Sequence, residues 1–401
     1  MKKIMIYCQY LAGMGHLVRS SEIIRSLVKD FKVCFVNGGQ PVPQFELPAE
    51  VEVIYLPGLW QDDRELKPID ESQSLEAVKA QRRHRLLEAF DQFEPDCLIT
   101  ECYPFSKVKL AFELIPLLER TQLTARPTRV VCSLRDLIMT QPMSRDAWVK
   151  RSEKVCRLIN QYYDAVLFHA DATFQKLEDC FPRVEDLKCD IIYTGYVAQS
   201  PPEQQSLTAE DIAGLSDKTP AIVASVGGGR HGYSLLSALV EASPLLAHVL
   251  PHQIYAFAGP FMPEDDFAQL QRAAAARPNV TLRRFTSRLI DYLQKAELSV
   301  SLGGYNTTMN LLRTRVRSLV LPSLSKNQNT EQRIRAEKLA NLGVLSLLEP
   351  DDLGPERLVH TIQTCLNKAP VMHQINLQGA DNTAQHLQSI LTEPALKAVG
   401  G

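Results

Sequence analysis

Short apolar, β-branched runs alternate with longer amphipathic ones from the start of the chain. Runs at 4–9, 31–36, 51–56, 97–101, 129–132, 165–169 and 190–193 have the composition of buried strands, while 17–28, 75–90, 107–118 and 146–161 carry apolar residues at helical spacing. This alternation predicts a parallel sheet covered on both faces by helices, a Rossmann-like α/β unit. Past Gly195 the periodicity fails. Pro201, Pro202, Glu203, Gln204 and Gln205 make a polar link, and a fresh strand is predicted at 221–225. Runs at 253–257, 280–283, 298–301, 319–321 and 344–347 repeat the pattern, and a last helix is predicted at 380–392. The expected division is 1–197, a linker at 198–218, a second Rossmann-like unit at 219–378 and a tail at 379–401. Two such units facing each other leave a cleft into which the carboxyl ends of both sheets open.

Composition changes this picture little. The 401 residues are 45% hydrophobic and 22% charged with a net charge of −2, enough apolar material for more than one core and no bias toward nucleic acid. Nine cysteines lie scattered without C-x-x-C pairs, several of them in strand-like runs, which points to a reducing cytoplasm. The apolar start of the chain is interrupted by Gln9 and followed at once by a glycine turn, so it reads as a strand and not a secretion signal. No run reaches the roughly 20 apolar residues of a membrane span, so any membrane contact is expected to be peripheral. Lys79, Arg82, Arg83, His84 and Arg85 interleave with Leu86, Leu87 and Phe90 on one predicted helix, which either lies on anionic lipid or is a solvated helix packed on the sheet.

Candidate chemistry concentrates at predicted strand ends. The strand at 298–301 stops at Gly303 and Gly304, where backbone can approach a ligand; Asn306 and Thr307 then open a helix whose free N–H groups form a site for a diphosphate. A second strand ends at Pro322, and the following loop leads to Glu331 and Gln332, side chains suited to sugar hydroxyls. Gly227, Gly228 and Gly229 with Arg230 suit phosphate contact by amides and a guanidinium, or else form a tight turn. After the first strand, Gly13-Met14-Gly15-His16 departs from the dinucleotide fingerprint because Arg19, Ser20 and Ser21 stand where a third glycine would lie, which argues against nicotinamide or flavin. His16 either lines the helix start or acts as a general base, its ordinary pKa being near neutrality. Arg19, one turn on, either binds phosphate or acceptor or braces the cleft. Arg135 and Asp136 end another strand and are candidates for acceptor binding, with Asp136 a second candidate base, or else a structural ion pair; Glu101 is a lesser candidate at the same edge.

The motif S-x-G-G-x-N-T at 301–307, followed by a strand, a proline and E-Q-x-x-R-A at 331–336, resembles the donor half of GT-B glycosyltransferases, in particular MurG-like members of glycosyltransferase family 28. Gly13-Met14-Gly15-His16 resembles the G-x-G-H element of the family's acceptor domain. The resemblance implies GT-B architecture with the last helix returning to the first domain. It also implies an inverting, metal-independent transfer of a hexosyl group from a nucleoside-diphosphate sugar, UDP-sugar favoured, to a hydroxyl of a small-molecule or lipid-linked acceptor. No cofactor beyond that sugar nucleotide and no metal site are expected. By resemblance, His16 deprotonates the acceptor; Gly13, Gly15, Arg19, Glu101 and Arg135 surround it; Gly228, Gly229, Arg230, Gly303, Gly304, Asn306 and Thr307 hold the diphosphate; Phe285 and Thr286 flank the nucleobase; Asn310 holds ribose; and Glu331 and Gln332 orient the hexose. Two departures stand out. Asn310 replaces a glutamate usual in related sequences, and Thr314-Arg315-Val316-Arg317 replaces a glycine-containing turn. They keep open a non-catalytic nucleotide-sugar-binding protein, and the two Rossmann-like domains, which that class also uses, keep open a nucleotide-sugar 2-epimerase.

Overall fold

The computed structural model describes the chain except residues 12–13, 43–44, 63–64, 125, 201–219, 324–328 and 393–401. Gly13 and nearly all of the expected linker at 198–218 therefore lie outside the described residues.

The first domain is a parallel sheet in the order β3-β2-β1-β6-β7-β8-β9, built from β1 (Lys3–Cys8), β2 (Lys32–Asn37), β3 (Glu52–Tyr55), β6 (Cys97–Glu101), β7 (Arg129–Arg135), β8 (Ala165–His169) and β9 (Asp190–Tyr193). Its central strands are buried and mostly apolar because α1 (Gly15–Leu27), α2 (Leu75–Phe93), α3 (Ala111–Thr121) and α4 (Arg145–Tyr162) cover the sheet. Ser74 caps α2 by accepting from Ala77 N at 3.2 Å, and Ser144 caps α4 by accepting from Ala147 N at 3.3 Å. A hairpin of β4 (Leu59–Asp62) and β5 (Glu65–Pro68) stands beside the sheet, an element too short to leave a period in the sequence. Helix α3 starts later than its periodicity suggests, because Lys107 takes a left-handed φ of 61° and a short 3₁₀ turn at Val108–Leu110 intervenes.

The second domain has the order β12-β11-β10-β13-β14-β15, all parallel: β10 (Ala221–Ser225), β11 (Gln253–Phe257), β12 (Val280–Arg283), β13 (Leu298–Leu302), β14 (Arg317–Leu321) and β15 (Ser346–Leu347). Its helices are α5 (Tyr233–Val249), α6 (Glu264–Ala275), α7 (Leu289–Lys295), α8 (Tyr305–Thr314), α9 (Asn329–Asn341) and α10 (Pro355–Leu366). The last helix, α11 (Gly379–Thr392), packs on α1 of the first domain. Its Ala384 and Leu387 join Ile23, Ile24 and Leu27 in one core, and Ser26 Oγ donates to Asp381 Oδ1 at 2.7 Å.

Two topological facts position the site. Strand order reverses between β1 and β6 in the first sheet and between β10 and β13 in the second, so each sheet opens a crevice at those carboxyl ends. The two crevices face each other across the domain boundary, where Asn306 Nδ2 at the start of α8 donates to Gly15 O at the start of α1, at 2.9 Å.

The basic helix read at 79–90 is corrected in one respect. Arg82 points inward, fully buried, with Nε and Nη2 donating to Glu113 at 2.9 and 2.7 Å and Nη1 donating to Gly38 O and Pro57 O at 3.1 and 2.7 Å. An arginine so committed has no charge to offer a lipid surface. Among the described residues no helix is long and apolar enough to cross a membrane.

Candidate active site

The first-domain crevice is built around a buried carboxylate. Glu101 ends β6 and is 2% exposed; its Oε1 lies 2.6 Å from His16 Nδ1 and accepts from Arg19, and its Oε2 lies 3.6 Å from Lys107 Nζ. Burial alone would raise its pKa, but the charges of Arg19 and Lys107 and the hydrogen bond to His16 hold the carboxyl well below the usual range, so it is ionised. Burial also lowers the His16 pKa below its ordinary value, outweighing the opposing pull of Glu101, and Lys107 and Arg135 lower it further. The imidazole is therefore neutral, with its Nδ1–H donated to Glu101 and the Nε2 lone pair left free. The side chain is 22% exposed, enough for a hydroxyl to reach that nitrogen. Cys102 Sγ lies 3.0 Å from the same Glu101 oxygen, but burial pushes this thiol up to about 11. His16, Glu101 and Cys102 could in principle grip a metal, their ligand atoms lying within 4.8 Å of one another. Arg19 and Lys107 already supply positive charge beside the same carboxylate.

The second-domain crevice is built from backbone. Gly303 N donates to Leu321 O at 3.0 Å, which ties the turn after β13 to β14. A Cβ on Gly303 would come within 3.1 Å of Val320 Cγ1, whereas one on Gly304 would meet nothing within 4 Å, so Gly304 borders open space. The first intrahelical bond of α8 runs from Thr308 N to Gly304 O at 2.9 Å, leaving the amides of Tyr305, Asn306 and Thr307 ahead of it as the helix's free donors. The glycine loop after β10 comes alongside, since a Cβ on Gly227 would sit 4.0 Å from Thr307 Oγ1. In that loop Gly229 has φ 95° and a Cβ would lie 2.2 Å from Ala258 O, so no larger residue fits. Gly228 and exposed Arg230 follow the same turn, the guanidinium 6.0 Å from the Phe261 ring. Phe285 packs against the first domain's core, and Thr286 Oγ1 accepts from Arg288 N at 3.1 Å; both follow β12, three strands away from β13.

Between the crevices runs a chain of alternating charges. Arg135 donates to Glu331 Oε2; Arg335 donates to Glu331 Oε1 at 2.7 Å and to both oxygens of Asp136 at 2.7 and 2.9 Å. Asp136 is 1% exposed with both oxygens held, so the second-base reading gives way to the ion-pair reading, with a partner on the other domain instead of its neighbour. Tyr305 sits between Arg19 and Arg335, its ring 5.3 and 5.4 Å from their guanidinium carbons. Gln332 Oε1 accepts from Ser323 N at 2.9 Å. Asn310 is 1% exposed, donates to Gln199 Oε1 at 2.6 Å, and keeps its Oδ1 shielded and without a partner.

His16, Arg19 and Glu101 thus meet in one cluster, Arg135, Asp136 and Glu331 in a second, and Gly15 with Asn306 at the seam between the domains. Lys107 and Arg335 were not singled out as site residues. Arg335 was visible as the arginine of E-Q-x-x-R-A, but nothing in sequence spacing showed that its partner would be Asp136.

Residues 223–388 match the Glycosyltransferase family 28 C-terminal domain. A curated relative, the UDP-N-acetylglucosamine–N-acetylmuramyl-(pentapeptide) pyrophosphoryl-undecaprenol N-acetylglucosamine transferase of Lactococcus lactis, is 24% identical over 224 residues, 51% of this chain and 61% of the relative. The chain spans little more than half the length of the curated relatives it matches. Among solved structures, the glycosyltransferase of kitacinnamycin superimposes with a TM-score of 0.61 at 14% identity over 97% of this chain and 99% of its own. The UDP-GlcNAc 2-epimerase of Methanocaldococcus jannaschii does so with 0.60 at 13% over 98% and 99%. The fold is GT-B, and it is shared by transferases and an epimerase alike.

Proposed function

We propose, on the premise of the family 28 match and the GT-B fold, that this protein is a glycosyltransferase using a nucleoside-diphosphate sugar. One observation carries the reading: an imidazole held by a buried carboxylate opens α1 at the seam closed by the 2.9 Å Asn306–Gly15 bond, and α8, with its free N-terminal amides, opens on the other side of that seam. In the proposed reaction the acceptor hydroxyl oxygen bonds to the anomeric carbon as His16 Nε2 takes its proton. The bond from that carbon to the diphosphate oxygen breaks in the same displacement, which inverts the centre, and the electron pair leaves with the diphosphate toward the amides at Tyr305–Thr307. Helix dipole and amides, with Arg230, serve in place of a metal. Glu331 and Gln332 orient the hexose, with a UDP-sugar as the favoured donor and a small-molecule or lipid-linked hydroxyl compound as acceptor. We place the enzyme in the cytoplasm, with any membrane contact peripheral.

Calorimetric titration with UDP, GDP, dTDP and CMP, with and without Mg²⁺, tests the reading. Metal-independent binding of one nucleoside diphosphate supports it, and failure of all four removes it. A second reading, a 2-epimerase, is favoured only by the fold likeness; it would convert the bound sugar nucleotide with no acceptor present.

A further inference from the structure

A cleft of about 490 Å³ lies in the first domain, within the roughly 300–1,000 Å³ typical of small-molecule sites. Its walls are the loops that leave the carboxyl ends of β2 and β3, the chain leaving the hairpin, and the start of α2. Those carboxyl ends lie on the same sheet edge as the end of β1 that delivers His16, two strand spacings away, roughly 10 Å. The loop between is continuous with both. Tyr10, two residues beyond β1, donates its hydroxyl to Gln40 O, and Gln9 Nε2 donates to Leu59 O at 3.3 Å.

Among the described residues the lining is largely apolar and carries no cation. Tyr55 and Ile69 are 49% and 38% exposed although flanked by Pro57 and Val78, an unusual outlay of apolar surface for a site without a ligand. The single charged lining residue is Asp70, which accepts from Ser72 N and Oγ and from Gln73 Nε2. These bonds hold its carboxyl below the ordinary range, so it is an anion. Arg82, on the helix that starts at this wall, is buried and committed to Glu113, Gln9, Gly38 and Pro57.

We infer that this cleft seats the body of the acceptor, and that the acceptor is an uncharged, largely apolar hydroxylated molecule and not a lipid-linked diphosphate. The inference rests on the transferase reading for the word acceptor, and on the cleft alone for the ligand's chemistry. A diphosphate here would face Asp70 with no cation to offset it. A neutral polycyclic alcohol buries its rings against Tyr55 and Ile69 and extends a hydroxyl along the sheet edge toward His16.

Ligand-observed NMR titration of the full-length protein with 2-naphthol, a flavanone, a macrolactone and farnesyl diphosphate tests this. The expected result is binding of the neutral compounds and none of farnesyl diphosphate. Ile69→Asp should weaken the neutral compounds at least about tenfold and Tyr55→Ala about threefold to tenfold. Both substitutions sit on exposed side chains, and unchanged melting temperatures and unchanged UDP titrations in the same variants confirm that the effect is local. Tighter binding of farnesyl diphosphate than of the neutral compounds, no binding of any neutral compound, or equal binding by Ile69→Asp each overturns the inference. A protein that binds the neutral compounds but no nucleoside diphosphate would instead overturn the transferase reading and leave the ligand class standing.

Discussion

The two crevices solve opposite electrostatic problems. On the β1/β6 side, three ionisable side chains from two segments, His16 and Arg19 of α1 and Lys107 beyond β6, converge on a carboxylate that is 2% exposed, so charge is fixed before any substrate arrives. On the β10/β13 side, glycines and a helix start leave amides open, so the site holds partial charges that await an anion. A base must be kept in one tautomer and orientation, which side-chain networks do well. A leaving diphosphate must be approached closely from several directions, which only backbone without side chains allows.

The sharpest way to break that contrast is at the base. His16→Ala should lower kcat by about 10²–10⁴ while nucleotide affinity stays within about twofold, since the amides of α8 are untouched. Equal loss of both would mean that the two sides are not separable. The pH profile adds a second check. Because the His16 pKa is lowered, the imidazole stays neutral as pH falls through the ordinary value near 6.5, so the acid limb of kcat/KM should lie below that value. An acid limb at 6.5 would show an imidazole titrating as if solvent-exposed.

A smaller effect on catalysis and a larger one on folding are expected at the bridge between the domains. Arg335→Met strands Asp136 at 1% exposure without its cation, and thermal or urea unfolding should report a loss of about 3–5 kcal/mol. The double variant with Asp136→Leu should recover much of it, and no recovery would mean that the pair is not the cause. The smallest effect belongs to Arg135→Ala. That side chain is 28% exposed and its pair with Glu331 is partly screened, so stability should change by under about 1 kcal/mol. Because Glu331 gives up one of two arginines, the Kd for a sugar nucleotide should shift by less than about fivefold with the Kd for the free nucleotide unchanged, as paired titrations would show.

Much of the fold was legible because it is written in runs. Strands such as 165–169 and 253–257 are apolar but for one polar residue at an end, His169 and Gln253, since helices cover both sheet faces, and the helices between them keep one apolar stripe. The hairpin at 59–68 was not legible, because a pair of four-residue strands has no period to read. The glycine turns were legible for a related reason: Gly229 marks a place where any Cβ would strike a neighbour, and Gly303 one where a Cβ would crowd Val320. Arg82 and Asp136 show the opposite case. A basic residue in a polar run and an aspartate at a strand end carry the same letters whether they face water or a buried partner, and Arg82 found Glu113 while Asp136 found Arg335.

By itself, then, the sequence determined the alternating elements, the two parallel sheets and the turns where backbone must be bare, because local periodicity and steric exclusion act between near neighbours. Only the tertiary structure decided which charges meet. The pairs His16–Glu101, Arg82–Glu113 and Arg335–Asp136 join residues 85, 31 and 199 positions apart, and an ion pair's strength depends on separation and burial in space, neither of which is written along the chain.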